Sequence, residues 1–329
     1  MTFANRLKAA NSAPLLSTES FETHSHPTSG LKPIFAGPNG LRAGWRLLIF
    51  LALVGVPVGG LLMAAHGHPR PPRDMAITPF LISVNDALML LIVGVAAWIM
   101  GKIEHREFRE YGLPVRQALR TDFWFGSLLG LGAISGTLLT MFLLHGFRVT
   151  GLAVHGRTIL FSLGGWGIAY LLSALFEEFA FRGYVQYTLA SGIGFWPAAL
   201  LMSGLFGLGH LLGNPNENVA GSAAVVMFGL LLCLFLRRTG NLWCAVGFHL
   251  GYDWGQMFYG VPDSGIVPYH NLLNSTLSGP RWLTGGIVGP EASFLTSLAL
   301  LVVAMVFSRY HRKTRYQVQG AQSMPVTVP

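Results

Sequence analysis

The chain has 329 residues, of which 52% are hydrophobic and only 11% are charged, and its mean hydropathy is +0.50. Soluble globular domains carry roughly 25% charged residues, so this composition excludes an ordinary soluble protein and predicts a membrane protein. The net charge of +8 is then expected from lysine and arginine in loops that face anionic lipid. The lipid bilayer is therefore a predicted partner, and nucleic acid is not.

Eight apolar segments follow a polar start. Residues 1–40 are rich in Ser, Thr, Pro, Asn and His, and they predict a disordered cytoplasmic tail because they offer little apolar surface to offset the entropy of ordering. About twenty apolar residues cross a bilayer, and residues 41–310 are predicted to form the transmembrane domain. Its predicted spans lie near residues 45–65, 80–100, 124–145, 159–187, 193–212, 220–236, 242–259 and 292–307. Residues 311–329 are predicted to form a second cytoplasmic tail. The fold class is thus an all-α polytopic membrane protein of about eight transmembrane helices.

Basic residues predict the orientation of these spans. In an eight-span topology, one side of the membrane receives most of the flanking lysines and arginines, from Arg42 before the first span to Arg315 after the last. Such residues are enriched on the cytoplasmic side of membranes. The opposite loops are less basic but not free of arginine: Arg70, Arg73, Arg148, Arg157 and Arg281. The pattern predicts a multi-pass protein of the cell inner (plasma) membrane with both termini in the cytoplasm.

Glycines recur at a spacing of four residues in the third and seventh spans. Small residues at this spacing let membrane helices approach closely, so the pattern predicts tight helix packing rather than chemistry. The glycines are Gly126 and Gly130, Gly132 and Gly136, and Gly247, Gly251 and Gly255.

Three spans carry polar side chains that are costly in hydrocarbon and therefore indicate function. They are Glu177, Glu178 and Arg182 in the fourth span, His210 in the fifth, four residues after Phe206, and His249 and Asp253 in the seventh. Glu177 and His210 are about equally far from a turn expected near residues 192–194, which predicts a matching depth. His249 and Asp253 are four residues apart and share a helix face. The sequence therefore predicts a buried polar site between helices 4, 5 and 7.

Glu178 and Arg182 are also four residues apart, which suits an ion pair and leaves Glu177 on another face for a different partner. A single intramembrane histidine is more often a helix–helix hydrogen-bonding residue than a catalytic one. For Asp253 alone, a structural hydrogen bond to a neighbouring helix is about as expected as a role in chemistry. The functional prediction therefore depends on the combination of these residues.

Two kinds of chemistry suit this combination. Glu177 with His210 could hold and deprotonate a water, while His249 and Asp253 orient the substrate or stabilise the oxyanion of a tetrahedral intermediate. Glu177, His210 and His249 are also a plausible ligand set for zinc, with a fourth position open. The sequence leaves both metal-free and metal-bound water open.

The residues form three motifs, EExxxR, FxxxH and HxxxD. In these motifs and their order, the chain resembles the CAAX-processing and bacteriocin-processing membrane endopeptidases (the CPBP or Abi family), over residues 159–260. The resemblance implies an intramembrane endopeptidase that cleaves a peptide or protein substrate near the membrane surface. It implies that Glu177 and His210 activate water and that His249 and Asp253 support the oxyanion. Members that process prenylated proteins usually have Asn where this chain has Asp253, so prenylated CAAX substrates are not predicted.

Two other functions are open at this point. One is a non-catalytic membrane scaffold or immunity protein of the same fold, although an inert scaffold has no reason to keep buried charge. The other is a proton-coupled transporter, against which stands the absence of internal repeats and of paired broken helices.

Two further segments receive structural predictions. Asn85 and Asp86 are predicted to face a loop or a neighbouring helix rather than a substrate. Residues 261–289 are rich in Gly and Pro and are predicted to be an external loop. An ordinary connection is favoured there over a re-entrant lid that covers the site.

Overall fold

The computed structural model describes residues 36–37, 40–66, 78–214 and 216–318. Most of the predicted N-terminal tail and the end of the predicted C-terminal tail, from residue 319 on, lie outside the described residues. The division into two tails and a membrane domain therefore stays a prediction.

Helices make up most of the described chain. They are α1 (Ala43–Ala65), α2 (Pro79–Glu104), α3 (Thr121–Leu143), α4 (Arg157–Arg182), α5 (Tyr184–Ile193), α6 (Phe195–Gly213), α7 (Val219–Thr239), α8 (Trp243–Tyr259), α9 (Arg281–Thr284) and α10 (Phe294–Tyr310). Two antiparallel pairs of strands accompany them: β1 (Ala36–Gly37) with β2 (Gly40–Leu41), and β3 (Phe147–Leu152) with β4 (Leu273–Leu277). The all-α class is confirmed.

Each predicted span coincides with a helix or with two successive helices. Within the described residues, six segments are long and apolar enough to cross a membrane, namely α1, α2, α3, α4 continued by α5, α6 and α7. Helices α8 and α10 have 17 residues each, which is short for a span that crosses alone. The polytopic architecture is confirmed, and the count of eight spans stays a prediction.

The fourth predicted span is not one continuous helix. Helix α4 ends at Arg182, and Gly183, with φ −81° and ψ −120°, separates it from α5. A Cβ at this glycine would lie 2.4 Å from the carbonyl oxygen of Phe179, so a larger residue would not fit the break. Gly194, with φ 87°, makes the turn into α6 at the predicted place. The estimate of equal depth for Glu177 and His210 assumed an unbroken helix up to that turn, and this assumption is wrong.

Helices α3 and α8 pack backbone against backbone. A Cβ at Gly130 would lie 2.1 Å from the carbonyl oxygen of Phe248, and a Cβ at Gly251 would lie 2.1 Å from that of Ser127. Gly247 is equally close to its neighbour, at 2.0 Å from a carbonyl oxygen. Real Cβ contacts are never this short, so only glycine permits the approach. The packing predicted for these glycines is confirmed, and it holds the almost wholly buried α8 in the interior.

The second glycine pair of α3 does not take part in this packing. Around Gly132 and Gly136, no atom of the other described residues lies within 4 Å of a Cβ position, apart from those of the adjoining stretch of α3. The spacing of four residues was therefore informative for one face of α3 only.

This difference gives a matched test within one helix. We expect Gly130→Ala to lower the free energy of unfolding by about 1–3 kcal/mol, because the new methyl group must push α8 away. Gly136→Ala adds the same methyl group to open space, so it should leave stability unchanged or raise it by up to about 1 kcal/mol. Denaturant-induced unfolding of both variants in the same detergent measures the difference, and equal losses would contradict the proposed contact.

Candidate active site

A cavity of about 580 Å³ lies between α2, α4, α6, α7 and α8, and the segment after α8 contributes to its wall. The residues predicted to be catalytic all line it, together with Phe206: Glu177, His210, His249 and Asp253. Glu178 and Arg182 do not line the cavity, and both side chains are fully buried. The structure therefore brings the side chains of all three motifs together.

His249 lies at the centre of the carboxylates. Its Nδ1 is 3.0 Å from Oε1 of Glu178, and its Nε2 is 3.3 Å from Oδ2 of Asp253 and 3.6 Å from Oε2 of Glu177. A carboxylate can only accept, so Nδ1 carries a hydrogen and donates it to Glu178. That bond fixes the orientation of the ring and leaves Nε2 on the side of Glu177 and Asp253.

The predicted ion pair between Glu178 and Arg182 is present. Their side chains are fully buried, and Nη1 of Arg182 lies 3.1 Å from Oε1 of Glu178. The guanidinium also lies over the ring of Phe206, with its Cζ 4.4 Å from the ring centroid. The same Glu178 oxygen accepts from His249. This pair therefore connects α4 to α6 and α8.

His210 makes a different contact from the one predicted. Its Nδ1 is 3.0 Å from the carbonyl oxygen of Phe206, which can only accept, so Nδ1 carries the hydrogen. In the neutral ring, Nε2 is then an acceptor. Among the contacts of the described residues, none joins His210 directly to Glu177, whose nearest imidazole partner is His249. His210 and Glu177 instead share the wall of one cavity.

The sequence analysis did not assign a role to Asp263 and Glu291, which also line the cavity. Gln256 donates to both, at 3.2 Å to Asp263 and 3.0 Å to Glu291. Ser264 donates its N–H and its hydroxyl to Glu291 at 3.1 and 2.7 Å. Burial raises the pKa of Asp263 well above its usual range, and the nearby Glu291 carboxylate adds to this rise.

These bonds tie the start of the segment 261–289 to α8. Asp263, Ser264, Ile266 and Pro268 of this segment form part of the cavity wall, and the preference for an ordinary connection over a re-entrant lid stays a prediction. In the sequence, the available sign of their role was that Asp263 and Glu291 are acidic residues in an otherwise apolar, Gly-rich region. Their packing against Gln256 depends on the fold of the loop and could not be derived from spacing.

Asp86 contacts a neighbouring helix, as predicted, and both Asn85 and Asp86 also line the cavity. Nδ2 of Asn85 donates to Asp86 at 2.8 Å, and the hydroxyl of Ser173 on α4 donates to the other oxygen of Asp86. The α2–α4 contact thus presents a carboxylate to the cavity.

The proposed zinc ligands do not meet in a metal geometry. Glu177, His210 and His249 do not place three ligand atoms within 4.8 Å of one another, whereas Asp253, Asp263 and Glu291 do, in the described part of the chain. However, both oxygens of Glu291 already accept hydrogen bonds from protein groups. The set predicted for zinc, Glu177, His210 and His249, is therefore not assembled as a metal centre in this structure, and the chemistry below uses side chains alone.

The buried ion pair generates a stability prediction. Arg182→Met leaves the charge of Glu178 buried without its cation, so we expect a loss of about 3–5 kcal/mol in unfolding free energy. Arg109→Met is the control, because Arg109 and its partner Glu107 are 69% and 66% exposed and such pairs contribute about 0–1 kcal/mol. The double variant Glu178→Gln/Arg182→Met should recover part of the loss, since no buried charge then lacks a partner. Denaturant titration in detergent checks all three, and a neutral Arg182→Met would contradict the assigned role.

Comparison with known protein families identifies a match over the part of the chain that contains the three motifs. Residues 158–255 match the family described as Rce1-like, type II CAAX prenyl endopeptidase Rce1-like. A comparison with curated proteins finds no match. The matched segment runs from the start of α4 into α8 and contains all seven residues of the three motifs. Over this segment, the chain is similar to the CAAX membrane endopeptidases, in agreement with the resemblance carried by the three motifs.

Proposed function

We propose that the protein is an intramembrane endopeptidase in which Glu177 activates a water for attack on a peptide bond. The observation that carries this proposal is the unequal burial of the two adjacent glutamates. The side chain of Glu178 is fully buried, whereas that of Glu177 is 26% exposed and lines the cavity. Of the carboxylates in contact with His249, Glu177 is the most accessible to a water molecule.

The attacking water is placed between Glu177 and His210. Both line the cavity without touching each other, and Nε2 of His210 is an acceptor because its Nδ1 donates to Phe206. A water between them can donate one hydrogen to each. Glu177 takes a proton from this water as general base, and the resulting hydroxide attacks the carbonyl carbon. The family resemblance assigns the same two residues to water activation.

His249 is assigned to the oxyanion. Nε2 of His249 lies 3.3 Å from Oδ2 of Asp253 and 3.6 Å from Oε2 of Glu177. When Nε2 carries a hydrogen, this N–H interacts favourably with both carboxylates. The same N–H is available to the oxygen of the tetrahedral intermediate. Asp253 acts through His249, which resolves how an aspartate helps to stabilise negative charge. When the C–N bond breaks, Glu177 returns its proton to the leaving amine.

The site lies among helices long enough to span a membrane, which supports cleavage of a peptide within or at the edge of the bilayer. The matching family is named for prenylated CAAX substrates. We do not extend that substrate class to this chain, because Asp253 stands where those members usually have asparagine. Location in the inner membrane with cytoplasmic termini is part of the proposal and rests on the distribution of arginine and lysine.

Substitution of the proposed base tests this function. We expect Glu177→Gln to lower cleavage of a quenched peptide library in detergent by at least about 100-fold, because an amide cannot accept the water proton. Glu110→Gln is a matched control outside the cavity, and we expect wild-type activity from it. The assay is repeated with a strong chelator, which should leave the wild-type rate unchanged.

The outcomes separate the competing functions. Equal cleavage by wild type and Glu177→Gln would contradict the role of Glu177. Loss of wild-type activity with chelator, restored by added zinc, would favour metal-bound water. Absence of cleavage by every folded variant would favour the scaffold function.

A further inference from the structure

The described wall of the cavity is acidic, and its basic side chains are the imidazoles of His210 and His249. Within the described part of the chain, none of its lining residues is lysine or arginine. Its acidic residues are Asp86, Glu177, Asp253, Asp263 and Glu291. The described residues also form no ion pair between lysine or arginine and any of these five carboxylates. A cationic group beside Asp86 would therefore meet a carboxylate that no lysine or arginine of the described residues neutralises.

Four of these carboxylates already have roles. Glu177 and Asp253 contact His249, and Asp263 and Glu291 hold the segment after α8 through Gln256. Asp86 is the remaining one. It is 9% exposed, so it is buried deeply enough for its charge to act over a short distance without screening by bulk water.

Neutral donors hold Asp86 in place. Asn85 and Ser173 each donate to one of its oxygens. Such bonds favour the ionised carboxylate without cancelling its charge. Asp86 is thus a fixed anionic acceptor on the cavity wall, and nothing in the described protein supplies its cation.

The distance from Asp86 to the proposed base suits a single amino-acid side chain. Ser173, which binds Asp86, is four residues before Glu177 on α4, about 6 Å along the helix axis. Trp166 and Tyr170 continue the same face of α4 along the cavity wall, and their rings stack with centroids 5.2 Å apart. A peptide bond at Glu177 would place a neighbouring side chain along this face, with its end near Asp86. Aromatic faces beside the path also favour a cation.

We propose that the cavity selects peptides with a lysine or arginine beside the scissile bond, and that Asp86 binds this cation. The inference rests on the proposed peptidase function and names its substrate class. The same carboxylates repel a free C-terminal carboxylate. The segment that enters the cavity is therefore the interior of a peptide, with a basic side chain, and not its anionic end.

Three quenched peptide libraries test this specificity. They are identical except for one fixed position that is Lys, Gln or Glu, and mass spectrometry of the products locates the cleaved bond. We expect wild type to give a kcat/KM at least about tenfold higher for Lys than for Gln, and the lowest for Glu, because an unpaired buried carboxylate discriminates strongly between charged and neutral groups. In the Asp86→Asn variant, the ratio of kcat/KM for the Lys library to that for the Gln library should fall to near one.

Asp122→Asn is the matched control. Asp122 lies on α3, outside the residues that line the cavity, and likewise accepts a hydrogen bond from an asparagine, Asn241, at 3.0 Å. In the Asp122→Asn variant, the ratio of kcat/KM for Lys to that for Gln should equal the wild-type ratio. Equal rates for Lys and Gln in wild type would overturn the inference, and this comparison needs no variant that could misfold. An unchanged ratio in Asp86→Asn would overturn the assignment of Asp86.

A binding measurement separates this inference from the proposed function. Fluorescein-labelled Lys and Gln peptides are titrated with Glu177→Gln in detergent and followed by anisotropy. Tighter binding of the Lys peptide, lost when Asp86→Asn is added, supports the cation site whether or not any peptide is cleaved. Equal binding of both peptides overturns it, even if cleavage depends on Glu177.

Discussion

The ion pair between Glu178 and Arg182 constrains the rest of the site. Removing both charges from water is expensive, and the attraction between them repays this only with good geometry and further hydrogen bonds. The protein supplies these on different helices, since His249 on α8 donates to the glutamate and Phe206 on α6 packs against the guanidinium. A relative shift of α4, α6 or α8 would therefore leave a buried charge unsatisfied. The pair fixes the three helices that carry the motifs in one arrangement.

The glycine contact between α3 and α8 acts from the opposite side. Because Gly251 and Gly247 let the two backbones touch, α3 blocks a movement of α8 away from the cavity, and a movement toward the cavity would lose this close packing. These glycines are offset by two residues from His249 and Asp253, so the face that packs and the face that carries the imidazole differ. Close packing on one face thus holds the polar groups of the other face near α4.

Local periodicity explains what the sequence could predict. Pairs four residues apart share a helix face whatever the fold, so the Glu178–Arg182 pair and the common face of His249 and Asp253 followed from spacing. The break at Gly183 was missed because glycine is frequent throughout this chain. The place of Asp86 in the cavity depends on a bond to Ser173, 87 residues later in the chain, and no pattern in a single sequence encodes it. The contacts of Glu291 with Ser264 and Gln256 were hidden for the same reason.

The tasks proposed for the two adjacent glutamates differ because a helix turns by about 100° per residue, which directs the two side chains to different surroundings. Glu178 points into the protein and is neutralised by Arg182, whereas Glu177 reaches the cavity and, among the described residues, has His249 as its ionic contact. A base must be accessible to water and a structural anion must be hidden from it, so neither residue can replace the other. The acidic wall then makes the same cavity unfavourable for an anionic peptide end. The proposed chemistry and the proposed selectivity therefore use the same cavity. In it, a basic side chain of the substrate would pair with Asp86, which no lysine or arginine of the described residues neutralises.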